Sequence, residues 1–266
     1  INRSGMGTIE SLSAITRDDL VAGWQRQVRP GGAILAVAGD VAAAGGADGL
    51  ARRFDDLLAG WSGAAPSIRP GVSQTRGSYH HIDDPSAQVQ IVLMHDAPAE
   101  RQLESRLERV VASVLSGGMA SRLFTEVREK RGLCYSVSES YAAERDYGRC
   151  VGYVGTTPER AQESLDVLMA ELHRINTRDG QVTKAEFDRA MIGIKSGLIF
   201  SGESTGARAA ALAGDQHRLG RARSLDEVAA MYAAITLDHV NDYLSSRALG
   251  DVTIVTLGQT ALNRPA

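Results

Sequence analysis

Apolar positions along this chain follow two spacings, and the switches between them outline its elements. After Thr16 and Asp19, an N-cap with an acid at the third helical position, apolar residues fall at Leu20, Val21, Trp24 and Val28. That spacing predicts an amphipathic helix, stopped by Arg29-Pro30-Gly31-Gly32. The run AILAVAGDV (33–41) is continuously apolar and predicts a strand covered on both faces. Leu50, Phe54, Leu57, Leu58 and Trp61 share one face of a second helix. From Tyr79, SYHHIDD and AQVQIVLMH predict an opening strand with a bulge or break at Asp84-Pro85. Leu103, Leu107, Val110, Val111, Val114 and Leu115 line the next helix, and after Gly117-Gly118 a short one covers roughly 119–130. LCYSVSESY and YGRCVGYVG alternate as the strands of a hairpin turning at AAERD. Thr157-Pro158-Glu159 opens a helix bearing Leu165, Leu168, Met169, Leu172 and Ile175. Thr183 with Glu186 makes a capping box ahead of Phe187, Met191, Ile194 and Leu198. Shorter helices follow, one opened by Ser224 with Glu227, and DVTIVTLGQ (251–259) closes as a strand.

Two features organise these elements. SGAAPSIRPGVSQTRGS (62–78) is rich in Ser, Gly and Pro, has no period, and reads as a linker between domains. On either side of it the chain echoes itself. ITRDDLVAGW…AILAVAGD (15–40) and ITLDHVNDYL…DVTIVTLGQ (235–259) both run Ile-Thr, an Asp two residues on, an amphipathic helix, then an apolar strand. The later copy ends a long domain while the earlier one has almost nothing ahead of it, so a repeat would imply a first copy without its front part. The opening INRSGMGTIE has no initiating Met, no basic stretch before an apolar run and no cleavage pattern, so it reads as neither a signal peptide nor a natural start.

Composition narrows the function classes. With 266 residues, 43% apolar and 23% charged, the chain is an ordinary globular protein able to bury a core. A net charge of −3 argues against nucleic acid as a partner. No run approaches the ~20 apolar residues of a membrane span. The compartment, bacterial periplasm or cytoplasm, is not legible. Cys134 and Cys150 are too few for a disulfide framework or a cysteine metal site. A hairpin turning near Arg145-Asp146 sets Cys150 opposite about position 141, away from Cys134, so no disulfide is expected.

The familiar catalytic patterns are missing. His80-His81 with Asp83 and Asp84 resembles a metal cluster, but alternation along a strand divides these residues between two faces. His95, His173, His217 and His239 stand singly, and no His-x-x-Glu-His or His-Glu-x-x-His occurs. The expectation is that no metal is bound by this chain. There is no Gly-x-Ser-x-Gly, and the glycines at 45–46 and 117–118 fit neither a P-loop nor a dinucleotide fingerprint. Cys134 has no obvious base nearby in sequence, and both cysteines read as buried, inert thiols. On residue type alone, Arg128 is a charge at a helix C-terminus and Tyr135 a strand aromatic.

One longer stretch changes that. SGGMASRLFTEVREKRGLCYSVSESY (116–141), with its Gly-Gly-Met, Ser-Arg-Leu-Phe, Arg-Glu-Lys-Arg-Gly-Leu and Tyr-Ser-Val, resembles the pitrilysin/insulinase family of zinc metallopeptidases, which includes the mitochondrial processing peptidases and bacterial homologues. ESLSAITRDDLVAGWQRQVRPGGAILAVAGDV resembles the close of that family's first domain, and DDPSAQVQIVL onward its second. Tandem homologous domains would account for the internal echo. The resemblance implies that Arg128 and Tyr135, seven positions on, reach the zinc site of a facing domain, with Gly117 and Gly118 as a supporting loop. A guanidinium fork suits a peptide carbonyl or carboxylate, and a phenol can donate to an oxygen that becomes negative during attack.

The family's inverted zinc motif, His-x-x-Glu-His with a downstream Glu, belongs to the front of the first domain and is absent here. Three readings stay open: part of a zinc peptidase whose catalytic front lies elsewhere, a non-catalytic subunit that clamps substrate for a zinc-bearing partner, or a structural homologue. The expectation is an α+β protein with a processing-peptidase-like domain, antiparallel sheet and packed helices. Residues 1–61 would be the remnant of a first domain, 62–78 the linker and 79–266 a complete second domain. Its partners would be a peptide substrate and a zinc-bearing domain or subunit in a dimer, with zinc bound there, and this chain alone would be inactive.

Overall fold

The structure, a computed structural model, describes residues 5–64, 77–247 and 249–265, and they fall into two compact units. Most of the stretch read as a linker, 65–76, lies outside the described residues. One unit holds 5–64 together with 205–213. Helix α1 (Ile9–Ala14) is capped by Thr8, and α2 (Arg17–Gln27) by the Thr16–Asp19 box read from the sequence. Helix α3 (Gly46–Leu58) carries the second apolar face. The expected strand at 33–41 does not form. Its segment is irregular, with Ile34, Leu35 and Val37 exposed, and the unit's described residues offer only the isolated bridge Gly31–Ala64. A strand needs a neighbour for its N–H and C=O groups, and an apolar run cannot supply one.

The other unit is an α+β domain around a five-stranded sheet ordered β1-β5-β2-β4-β3. Strands β1 (Tyr79–Asp83) and β2 (Val89–Ala97) are the two halves of the expected opening strand. They separate at Asp84, whose carboxylate accepts from the Ser86 amide, and β5 (Thr253–Gly258) lies between them, parallel to β1 and antiparallel to β2. Strands β3 (Cys134–Ala143) and β4 (Gly148–Thr156) form the hairpin, with Tyr141 opposite Cys150 as its turn implies.

Strict alternation on β2 turns Val89, Ile91, Leu93 and His95 inward. On that face lie α4 (Glu104–Ser116), α5 (Ala161–Arg174), α6 (Lys184–Glu203) and, after α7 (Thr205–Leu219) and α8 (Leu225–Ala233), α9 (Leu237–Ser246). Val110, Leu115, Leu165, Leu168, Leu172 and Leu244 are among the side chains sealed there. Burial of each contributes about 1.5–3 kcal/mol. The short helix expected near 119–130 is narrower and wider-wound, a π-helix at Phe124–Glu129. The Lys130 amide reaches back to Thr125 O at 3.0 Å, five residues earlier.

Candidate functional site

Arg128 and Tyr135 are brought together by two local irregularities. The chain leaves the π-helix through a turn at Gly132, whose φ of 61° is open to glycine at little cost. There the Gly132 amide donates to Arg128 O at 3.0 Å and the Leu133 amide to Val127 O at 3.1 Å, which turns the chain into β3. Leu133 O is then held by the hydroxyls of Thr156, at 2.5 Å, and Ser164, at 3.2 Å. Behind the turn, Lys130 and Arg131 both grip Glu126, so the two basic residues of the charged run that follow Arg128 are tied back onto the π-helix. In the hairpin, Cys134 pairs with Thr156 and Ser136 with Gly155, so Tyr135 is the extra residue of a β-bulge. A bulge re-aims its side chain, and Tyr135 is 82% exposed. The Arg128 guanidinium stacks over the Tyr135 ring at 5.6 Å and over Phe124, one turn back in the π-helix, at 4.8 Å. The result is an exposed cation and phenol held side by side. Burial pushes the adjacent Cys134 thiol up against the pull of Arg128, which keeps it a neutral thiol.

The glycine pair has a different setting. Gly117 closes α4, where a Cβ would lie 2.3 Å from Ser113 O, and Gly118 has a φ of 142°. They line a cavity of about 60 Å³ with Glu186 and Arg189, whose walls include neither Arg128 nor Tyr135. The Arg of Ser-Arg-Leu-Phe, Arg122, is buried. Its guanidinium forks onto Glu186 at 2.8 and 2.9 Å and donates to the carbonyls of Gly180 and Gln181. That segment of the motif is therefore a structural tie to the start of α6. Burial works against a charge on Glu186, but Arg122 and the Thr183 amide hold its carboxyl down at about 2.

His80 is exposed on β1, an edge strand, and His81 Nδ1 lies 2.9 Å from Thr256 Oγ1. A cluster that sequence spacing does not reveal lies on the sheet's inner face. His95 on β2 is directly opposite Cys150 on β4, and Glu139 on β3 stands one row away opposite Gly152. All three are buried, and one ligand-capable atom from each lies within 4.8 Å of the others. Glu108 of α4 comes down from above. It accepts from the Cys150 thiol at 3.2 Å, from Arg247 at 2.8 Å and from the Tyr243 hydroxyl. Burial, with the neighbouring Glu108 and Glu139, pushes the Cys150 thiol up. The signal available in the sequence was the hairpin register, which fixes 139 and 150 on one face. What it lacked was the pairing of β2 with β4.

A family model described as the peptidase M16 inactive domain matches residues 14–194. An uncharacterized zinc protease of Mycobacterium tuberculosis is 29% identical over 256 residues, covering 94% of this chain and 58% of the relative. One of Bacillus subtilis is 26% identical over 241 residues, covering 89% and 56%. The chain thus spans little more than half the length of these relatives. Among solved structures, the peptidase M16 inactive domain from Pseudomonas fluorescens has a TM-score of 0.74 at 20% identity, covering 98% of this chain and 62% of that one. Zinc implied by the relatives' names finds no ligands at the Arg128–Tyr135 pair, since a guanidinium and a phenol are not a zinc donor set. The sheet and its packed helices share the fold of that solved inactive domain, and the chain belongs to the peptidase M16 family through its inactive domain.

Proposed function

We propose that this chain is the substrate-holding half of a zinc-dependent peptidase, with Arg128 and Tyr135 as the groups that meet the peptide. The carrying observation is the bulge. It leaves Tyr135 unpaired and exposed beside a guanidinium that Phe124 keeps oriented. In this reading Arg128 offers its fork to a backbone carbonyl or carboxylate of the peptide, and the Tyr135 hydroxyl donates to the oxygen that gains charge as the amide is attacked. Both groups are fixed before substrate arrives, so little reorganisation accompanies charge development. The attacking chemistry belongs to a zinc-bearing domain, in line with relatives that are named zinc proteases and extend well beyond the matched length. Residues 1–61 would be the closing part of a first domain, consistent with the exposed apolar side chains of α1 and α2.

Tyr135→Phe in the complete peptidase tests the reading. Loss of one oxyanion donor should lower turnover by about 10²–10³ while leaving the circular dichroism spectrum and melting temperature of the protein unchanged. Wild-type turnover in that variant would return Tyr135 to the role of a surface aromatic.

A further inference from the structure

The inner face of the sheet should be apolar where it meets the helices, yet at one end it carries His95, Glu139 and Cys150, all buried, with Glu108 above them. Buried polar groups are normally fully hydrogen-bonded, and a charge left over in the interior is costly. This cluster does not close. His95 Nδ1 lies 3.0 Å from Asp96 O, and a carbonyl can only accept, so Nδ1 carries the proton. In a neutral imidazole Nε2 is then a bare lone pair, and it faces Glu139 Oε1 at 3.3 Å. Two acceptors confront each other, and the pair is 1% exposed on both sides. The second carboxylate oxygen, Glu139 Oε2, has no hydrogen-bond partner among the described residues. Room for it comes from Gly152, where a Cβ would lie 3.0 Å away.

We propose that His95 Nε2, the Glu139 carboxylate and Cys150 Sγ form a buried site for one divalent metal ion of zinc's class. Imidazole, carboxylate and thiolate together are a donor set for zinc. Zinc–ligand bonds of about 2.0–2.3 Å place tetrahedral donors about 3.3–3.8 Å apart. The His95–Glu139 pair already has that spacing, and all three donors lie within 4.8 Å, so closing on an ion takes movements of about an ångström or less. The hydrogen bond from His95 Nδ1 to a backbone carbonyl is the outer-shell contact that fixes a metal-binding histidine's tautomer.

Charge points the same way. Glu108 is paired with Arg247, whereas the Glu139 carboxylate has His95 as its one side-chain partner among the described residues. Binding the ion breaks the Cys150 S–H bond and forms a metal–sulfur bond, and the proton leaves to solvent. Two positive charges then meet the new thiolate and the Glu139 carboxylate, and the cluster becomes neutral. Because every donor is sealed from solvent, the ion would enter as the sheet and helices close, making this a structural site. The inference does not depend on the role proposed for Arg128 and Tyr135.

The test uses the full chain folded with Zn(II) or, for spectroscopy, Co(II). The expected result is one metal per chain at this site, a near-ultraviolet thiolate-to-cobalt band, and loss of both the band and that metal in Cys150→Ser and in the nearly isosteric Glu139→Gln. Metal-edge absorption on the wild-type protein needs no variant and should show one sulfur in the shell, at about 2.3 Å from zinc. A chain that folds metal-free in the presence of Zn(II), a shell of nitrogen and oxygen only, or a cobalt band that survives Cys150→Ser would overturn the proposal. In the first of these cases the His95–Glu139 pair holds a proton instead.

Discussion

Arg122 shows how much one side chain of the long motif contributes apart from any chemistry. Its fork holds Glu186 while its remaining donors meet Gly180 O and Gln181 O, and the guanidinium is almost wholly buried. Removing it leaves a partly buried carboxylate and two carbonyls without their donor. Arg122→Ala should therefore lower unfolding free energy by on the order of 3 kcal/mol, read from urea denaturation. The same pair sets a pH dependence. Glu186 falls from an ordinary 4.5 to about 2 in the folded protein, so its contribution is fully present above pH 4.5 and drains away as pH drops towards 2. In that window wild type should lose stability with acid more steeply than Glu186→Gln, which has no proton to take up there. Parallel curves would mean that the ion pair is not formed in solution. In the sequence Arg122 was legible only as part of a family pattern, because its partner lies far along the chain. The same holds for His95, Glu139 and Cys150, each unremarkable until strand pairing is known.

At the level of elements, local signals were the most readable. The capping boxes at Thr16, Thr183 and Thr236 and the cap at Ser224 mark helix starts where they occur, because the side chain that signals the start also satisfies an orphan amide. In the sequence Thr236 stands out only through the internal echo, since His239 in place of an acid hides the box. What sequence spacing missed were the irregularities. A π-helix and a bulge each insert one residue into a regular pattern, and neither changes residue type enough to betray itself. Each carries one member of the Arg128–Tyr135 pair, and Gly132 lies in the turn between them. Gly132→Ala forces a Cβ into a φ of 61° and should cost on the order of 1 kcal/mol. If the switch holds the pair, peptide cleavage by the complete enzyme should fall by more than that modest loss of stability accounts for. Unchanged cleavage at saturating substrate would show that the pair's position tolerates a looser joint.

Across the whole molecule, the two copies of the Ile-Thr echo make the comparison that matters. In the second copy α9 is followed by β5, which finds β1 on one side and β2 on the other, and Ile254 and Thr256 are buried. In the first copy α2 is followed by a run just as apolar that pairs with nothing among the described residues. The sequence pattern is shared and the outcome differs, because strand formation is decided by partners that a local pattern does not contain. The fold of the second unit was legible for that reason: its strands, helices and partners all occur within the chain. The first unit's helices leave Leu20, Trp24 and Leu57 exposed, and none of the described residues of α1, α2 or α3 is buried. Stability should therefore be unevenly distributed. Amide hydrogen exchange on this chain should show the deepest protection in β2 and β4, whose inner faces are sealed, and much faster exchange through α2 and α3. In the complete peptidase, the proposed rest of the first domain would cover those apolar side chains, and protection of α2 and α3 should rise towards that of the sheet. Equal protection of both units in the isolated chain would mean that the first unit is already a finished domain, and the reading of residues 1–61 as a remnant would fall.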